Sequence, residues 1–96
     1  MYIISLTYKV DNETVDKYLN AHVEYLKEQY AQGNFLASGR KVPRTGGIIL
    51  SNINSRNYLE EVLKTDPFNK NGVADYNIIE FVPSMTCEEL NFLIAK

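Results

Sequence analysis

The sequence predicts an α+β fold of the ferredoxin-like type, with a four-stranded antiparallel sheet and an additional C-terminal helix. Three observations lead to this prediction. Strand-like and helix-like hydrophobic patterns follow one another in the order β-α-β-β-α-β, which is the split βαβ arrangement. The 96 residues suit one hydrophobic core, and no repeat, low-complexity run or linker divides them. We therefore expect a single domain over residues 1–96, with both principal helices on one face of the sheet.

The first half of the chain is predicted to contain a strand, a long helix and a second strand. Apolar residues alternate over residues 2–10, which indicates a half-buried strand. Asp11 can cap a helix that ends near Gly33, and the apolar residues of this helix recur at three- and four-residue steps. They are Val15, Leu19, Val23, Leu26 and Tyr30. A strand interrupted by Gly39 is expected over residues 35–42.

The second half is predicted to contain two further strands with helical segments between them. A turn-rich stretch leads to a strand over residues 48–53, and Ser55 can cap the next helix. The apolar residues of that helix are Tyr58, Leu59, Val62 and Leu63. Asp66 precedes a proline, which is the pattern of a short helix start, and Gly72 can end it. The fourth strand is expected over residues 76–83.

A C-terminal helix is expected after the fourth strand. Thr86 and Glu89 stand in capping-box register, and Cys87 then falls in the first helical turn. The apolar residues of this segment are Leu90, Leu93 and Ile94. This apolar stripe could contribute to contacts between subunits.

Composition and charge exclude several classes of protein. A net charge of −2 gives no general attraction for nucleic acid or an anionic membrane. The N-terminal strand lacks a basic segment before it and is too short for a membrane span, so we expect neither a signal peptide nor a transmembrane helix. The single cysteine excludes an internal disulfide, and no cluster has zinc-ligand spacing. We expect a cytoplasmic protein without a bound metal.

His22 is the only histidine of the chain, and Asp66 is a candidate partner for it. His22 lies between Leu19 and Leu26 at helical spacing, so we expect it at or beside the buried face of the first helix. A histidine near apolar packing and a carboxylate can transfer protons or polarise a substrate oxygen. A structural role explains His22 as well, and helix capping explains Asp66. The residues by themselves leave both alternatives open.

Arg40, Lys41 and Arg44 form the one local concentration of positive charge. Cations on a loop shaped by glycine and proline could orient a carboxylate or an enolate oxygen. The alternative is a solvated turn with ordinary surface charges. Ser38, just before this segment, could donate a hydrogen bond to a ligand, although the sequence supplies no base that would make it a nucleophile. The chain contains no phosphate-loop or dinucleotide fingerprint.

Five segments together resemble the YCII-related family. In chain order they are ISLTYK, AHVEYLKEQYAQGNFLASG, KVPRTGG, DPF and IIEFVP. The similarity extends over nearly the whole chain except its C-terminal end. Its most specific parts are the histidine of the first helix, the SG element and the aspartate of DPF. In many members a proline follows SG, whereas this chain has Arg40, so the pocket wall and its charge can differ.

The resemblance implies a ferredoxin-like dimer of the α/β-barrel superfamily, with two sheets face to face and a pocket in each subunit. It also implies an active site built on a His–Asp pair, which corresponds here to His22 and Asp66. Ser38 and Gly39 match the SG element beside that pocket. The activities that it implies are dehydrochlorination and related lyase or isomerase reactions, carried out on small aromatic or enolic molecules without a cofactor.

Our hypothesis from the sequence is a lyase or isomerase in which His22 moves a proton and Asp66 fixes its tautomer. Arg40 or Arg44 would steady oxyanion charge on a small ligand, with an anion as one option. The alternative is a dimeric binding or regulatory module that performs no turnover. RNA binding is disfavoured because the third strand lacks stacking aromatic residues and the chain is acidic. We expect a homodimer or a higher homo-oligomer, since so short a chain buries only about two-thirds of its surface alone.

Overall fold

The computed structural model describes residues 1–94 and has the predicted α+β, ferredoxin-like fold. Its strands are β1 (Tyr2–Tyr8), β2 (Ala37–Arg40), β3 (Gly46–Ser51) and β4 (Ala74–Glu80). Its helices are α1 (Asn12–Ala31), α2 (Arg56–Lys64) and α3 (Pro67–Lys70), and a 3₁₀ helix covers Glu88–Leu93. The strand order across the antiparallel sheet is β2-β3-β1-β4. This order is that of the split βαβ arrangement, so the predicted fold class is confirmed.

The core lies between the helices and one face of the sheet. Ile4 of β1 pairs with Ile49 of β3 on one side and with Ile78 of β4 on the other. Ile4 and Ile49 are at most 2% exposed. Because side chains alternate along a strand, Tyr2 and Leu6 point to the same buried face. The inward residues of β1 therefore form the centre of the core.

The opposite face of the sheet carries an apolar row that the helices leave uncovered. Ile3 pairs with Leu50 of β3 and with Ile79 of β4, and Leu50 pairs with Ala37 of β2. One apolar side chain from each strand therefore lies in line across this face, which we call the open face. Ile79 is 49% exposed.

Helix α1 begins where the sequence indicates, but its buried face is rotated from the predicted one. The Asp11 side chain accepts a hydrogen bond from the Thr14 backbone N–H at 2.9 Å. The buried residues of α1 are Val15, His22, Tyr25 and Gln29, whereas Val23 and Tyr30 are 37% and 38% exposed. The hydroxyl of buried Tyr25 donates to the Val62 carbonyl at 2.8 Å, so its burial leaves no polar atom without a partner. Within residues 1–94, no helix has the length and hydropathy that a membrane span requires.

The C-terminal helix differs from the prediction. It is a 3₁₀ helix that starts at Glu88, with Cys87 at its N-cap and no side-chain hydrogen bond there. The expected capping box does not form, because the Thr86 hydroxyl has no partner among the described residues. Leu90 is 45% exposed. This segment is therefore held by local turns and lacks a buried apolar face.

The strand boundaries also shift. β3 and β4 each begin two residues earlier than predicted, since Gly46 pairs with Thr7 and Ala74 pairs with Tyr8. β2 is shorter than predicted because Phe35 turns into the core before pairing begins and is only 3% exposed.

We predict that Gly46→Ala lowers the free energy of unfolding by about 1–3 kcal/mol, as overpacking typically does. An added Cβ at Gly46 would lie 1.8 Å from the Leu6 carbonyl oxygen, and that backbone is fixed in the central ladder. Gly39→Ala is the matched control, because a Cβ there meets nothing within 4 Å. Urea unfolding of both variants measures the difference. Equal stability of the two variants would contradict this account of the β1–β3 contact.

Candidate active site

A cavity of about 190 Å³ lies between α1 and the β2–β3–β1 part of the sheet. Its walls combine apolar side chains with the backbone of three glycines. The polar side chains that line it are Tyr8, His22, Ser38 and Arg40. A broader, shallower depression of about 1000 Å³ lies between α1 and α2, and none of the candidate site residues predicted from the sequence lines it. The smaller and more enclosed cavity is therefore the candidate site.

His22 projects from α1 into the wall of this cavity and is held on two sides. Its Nδ1 lies 2.7 Å from Asp66 Oδ1. Its ring stacks on Phe68, with centroids 3.9 Å apart and planes inclined by 5°. The side chain of His22 is 11% exposed. These contacts fix both the position and the rotation of the imidazole.

Asp66 combines the two roles that the sequence left as alternatives. It is the N-cap of α3, where its Oδ1 accepts from the Phe68 backbone N–H at 3.0 Å. The same oxygen faces His22 Nδ1, and Oδ2 accepts a hydrogen bond from the Tyr76 hydroxyl. The residue is fully buried. One backbone N–H, one imidazole and one phenol thus surround a single carboxylate.

The hydrogen bonds around Asp66 determine the tautomer of neutral His22. An ionised carboxylate can only accept hydrogen bonds, so the proton on the ring belongs to Nδ1. Nε2 is then the nitrogen with the free lone pair. Nε2 has no hydrogen-bond partner within residues 1–94. It is accessible to solvent, since Thr86 Oγ1 is the one fully buried side-chain polar atom without a partner in that range. This is the arrangement of a histidine that can accept a proton from a ligand.

Tyr76 is a residue of this site that the sequence analysis missed. It lies on the inward face of β4, opposite Leu6. Burial raises the pKa of Tyr76 far above the ordinary tyrosine value, and the negative charge of Asp66 raises it further. The phenol therefore stays protonated and remains a donor to Asp66. The sequence could have indicated this role in one way only: a tyrosine at an inward position of a strand has a buried hydroxyl, which needs a hydrogen-bond partner.

Ser38, Gly39 and Arg40 lie on β2 at the edge of the cavity. Register places Ser38 opposite Ile49 and Arg40 opposite Gly47, so both side chains are on the helix-facing side of the sheet. Gly39 contributes backbone to the cavity wall. The Ser38 hydroxyl lies 2.6 Å from the Tyr30 hydroxyl.

Arg44 lies outside the cavity lining, unlike Arg40. It forms an ion pair with Asp16 of α1, with 2.5 Å between Arg44 Nη2 and Asp16 Oδ1. The hydrogen bond to Asp16 raises the pKa of the Arg44 guanidinium, and contact with the Tyr8 hydroxyl adds to this effect. The guanidinium of Arg44 is therefore engaged by Asp16 and does not line the cavity.

We predict that Tyr25 and Tyr76 ionise only when the protein unfolds at alkaline pH. Burial is the main cause of the raised pKa of both, and the charge of Asp66 is the second. A raised pKa means that the folded state holds the proton more tightly, so this stabilisation is present below about pH 10 and is lost as the pH rises further. Tyrosinate absorbance measured alongside circular dichroism tests this. Ionisation of all seven tyrosines near pH 10 in the folded protein would contradict it.

Comparison with known proteins places this geometry in context. No curated protein sequence matches the chain at a significant level. Among solved structures, the fold is similar to 5-chloro-2-hydroxyhydroquinone dehydrochlorinase from Burkholderia phenoliruptrix, in a complex with 2,5-dihydroxybenzoquinone. That match has a TM-score of 0.69 and 16% sequence identity, and it covers 84% of this chain and 93% of that chain. The profile of the YCII-related domain matches residues 1–82, and the chain therefore belongs to the YCII-related family.

Proposed function

We propose that the protein is a lyase or isomerase that moves a proton on a small aromatic or enolic molecule, using its own side chains. The observation that carries this proposal is the contrast between the two nitrogens of His22. Nδ1 is hydrogen-bonded to a fully buried carboxylate, while Nε2 has no partner among the described residues and His22 lines the cavity. A histidine with a purely structural role would not need an open nitrogen at a cavity wall.

In the proposed reaction, Nε2 of His22 takes a proton from a hydroxyl or a C–H group of the ligand. The electron pair of the broken bond moves into the ring or the enol. In a lyase, this pair displaces a leaving group such as chloride, which departs with the electrons of the C–Cl bond, and Nε2 then releases its proton to solvent. In an isomerase, Nε2 returns the proton to another atom of the ligand. Asp66 stabilises the imidazolium that exists between the two transfers.

The groups at the other side of the cavity would hold the ligand's oxygens. Ser38 can donate a hydrogen bond, and Arg40 can stabilise negative charge that develops on an oxygen. Arg44 lies outside the cavity lining and is paired with Asp16, so Arg40 is the arginine proposed for this role. The structural neighbour named as a dehydrochlorinase acts on a chlorinated hydroxyhydroquinone, which makes oxygen-rich single rings the first compounds to test.

We also propose a homodimer in the cytoplasm, formed through the open face. Each strand contributes one apolar side chain to the row across that face, and the helices leave it uncovered. A second copy of the same sheet would bury the row on both subunits by two-fold symmetry. The exposed free thiol of Cys87 suits a reducing compartment.

We predict that His22→Gln and Asp66→Asn each reduce turnover by about 10²–10⁴-fold, the usual contribution of a general base. Asp66→Asn acts through the tautomer of His22. The amide that it introduces can donate to Nδ1, which moves the ring proton to Nε2 and removes the lone pair that accepts the ligand's proton. Halogenated and halogen-free hydroquinones serve as substrates. Chloride release and exchange of ring hydrogens with D2O are the two measurements.

Glu24→Gln is the control for these variants, since Glu24 lies on the exposed side of α1 and should leave turnover unchanged. Turnover that survives in His22→Gln would overturn the proposed mechanism. Binding without any turnover, unaffected by His22→Gln, would favour the alternative of a non-catalytic binding or regulatory module.

We predict that Ile79→Lys weakens self-association by more than about a hundredfold, since the dimer would bury an unpaired charge. Ile79 is 49% exposed in the single chain, so the subunit should tolerate the change. Val42→Lys is the control, because Val42 is 90% exposed and lies in the β2–β3 loop, outside the row of paired apolar residues. Sedimentation measures the oligomeric state. A dimer that persists in Ile79→Lys would exclude the open face as the contact.

A further inference from the structure

The cavity wall carries one permanently charged side chain among the residues that line it, and that side chain is Arg40. The rest of the lining is apolar, aromatic or glycine, apart from Ser38 and His22. Arg40 forms no ion pair or side-chain hydrogen bond with another described residue, whereas Arg44 is paired with Asp16. Arg40 is exposed at the rim of the cavity, so its guanidinium is open to solvent and can pair with an anionic group of a ligand bound there.

Strand register explains why Arg40 and not its neighbour faces the cavity. Arg40 is opposite Gly47, which is opposite Leu6 on the helix-facing side of the sheet. Successive side chains of a strand alternate between the faces, so Lys41 points the other way. Its Nζ donates to the Thr7 hydroxyl at 3.1 Å on the open face. Two adjacent cations are thus separated by the sheet.

The two polar ends of the cavity are held on different strands. His22 is fixed through Asp66 and Tyr76 at the β4 side of the sheet, and Arg40 lies on β2 at the opposite edge. Leu6 on β1 and Arg40 on β2 are two strands apart across the sheet, a backbone distance of about 10 Å. Gly47 lies between them and places no side chain over the sheet. A ligand over Gly47 could therefore contact both ends at once.

The cavity volume limits the size of this ligand. A cavity of about 150 Å³ accommodates benzene. The volume of about 190 Å³ here therefore suits one six-membered ring with a few small substituents.

We infer that the substrate is a single-ring molecule that already carries a carboxylate or an equivalent anionic group, which Arg40 binds while the acidic hydrogen faces His22. This inference rests on the proposed function and adds the substrate class. Arg40 acts as a specificity residue for a permanent charge. A neutral analogue leaves the guanidinium partly desolvated without an ionic partner, so it binds more weakly.

The test compares para-hydroxybenzoate with its neutral amide, para-hydroxybenzamide, as NMR-monitored ligands of the full-length protein. Wild type should bind the carboxylate at least about tenfold more tightly, the ratio that one charge-assisted hydrogen bond supports. Arg40→Gln should lose this preference. Lys41→Gln removes the same charge from the adjacent residue, on the other face of the sheet, and should keep it.

The outcomes separate this inference from the proposed function. Equal binding of acid and amide in wild type, absence of binding by the acid, or a preference that survives in Arg40→Gln would overturn the inference. Loss of the preference in Lys41→Gln as well would attribute it to net charge and also overturn it. His22→Gln should retain the preference, because Arg40 does not depend on proton transfer. If that variant keeps both the preference and full turnover, the inference stands and the proposed mechanism fails.

Discussion

The buried carboxylate of Asp66 is the constraint on which the rest of the site depends. A buried charge without partners costs several kcal/mol, so the fold must supply donors to it. Those donors come from α3 through the Phe68 N–H, from α1 through His22 and from β4 through Tyr76. Helices α1 and α3 and strand β4 are thereby held at fixed distances from the Asp66 carboxylate. The contacts that stabilise this junction are the same ones that orient the imidazole.

The cavity forms where glycine places no side chain between α1 and the sheet. Gly47 occupies an inward position of β3, and a Cβ there would contact only the Gly39 carbonyl oxygen, at 3.1 Å. Above this gap, α1 contributes Leu19, Val23 and Leu26 as an apolar wall. Strand β2 is an edge strand of four residues, so its side chains meet the cavity at its rim. The site is thus apolar in its interior and polar at two ends.

Because successive side chains of a strand point to opposite faces, the two faces of the sheet carry different sets of residues. On β2, Arg40 belongs to the cavity side and Lys41 to the open face. On β1, Leu6 is buried under the helices while Ile3 belongs to the apolar row. The proposed ligand contacts and the proposed subunit contacts can therefore be changed separately, although they use neighbouring residues of the same strands.

The sequence by itself determined the fold class, the order of elements, the cap of α1 by Asp11 and the family, because these depend on local periodicity and on spacing along the chain. The residue pattern left undecided whether His22 and Asp66 meet, and only the family resemblance implied the pair, since 44 residues separate them and packing brings them to 2.7 Å. It assigned Val23 to the core and missed Tyr76, because hydropathy cannot register a polar side chain whose burial is stabilised by a distant partner. It grouped Arg40, Lys41 and Arg44 as one basic segment, and the tertiary structure divided them among a cavity, the open face and an ion pair. Local patterns fix elements, whereas the partners of buried polar atoms and the direction of each charge are fixed only when the elements pack.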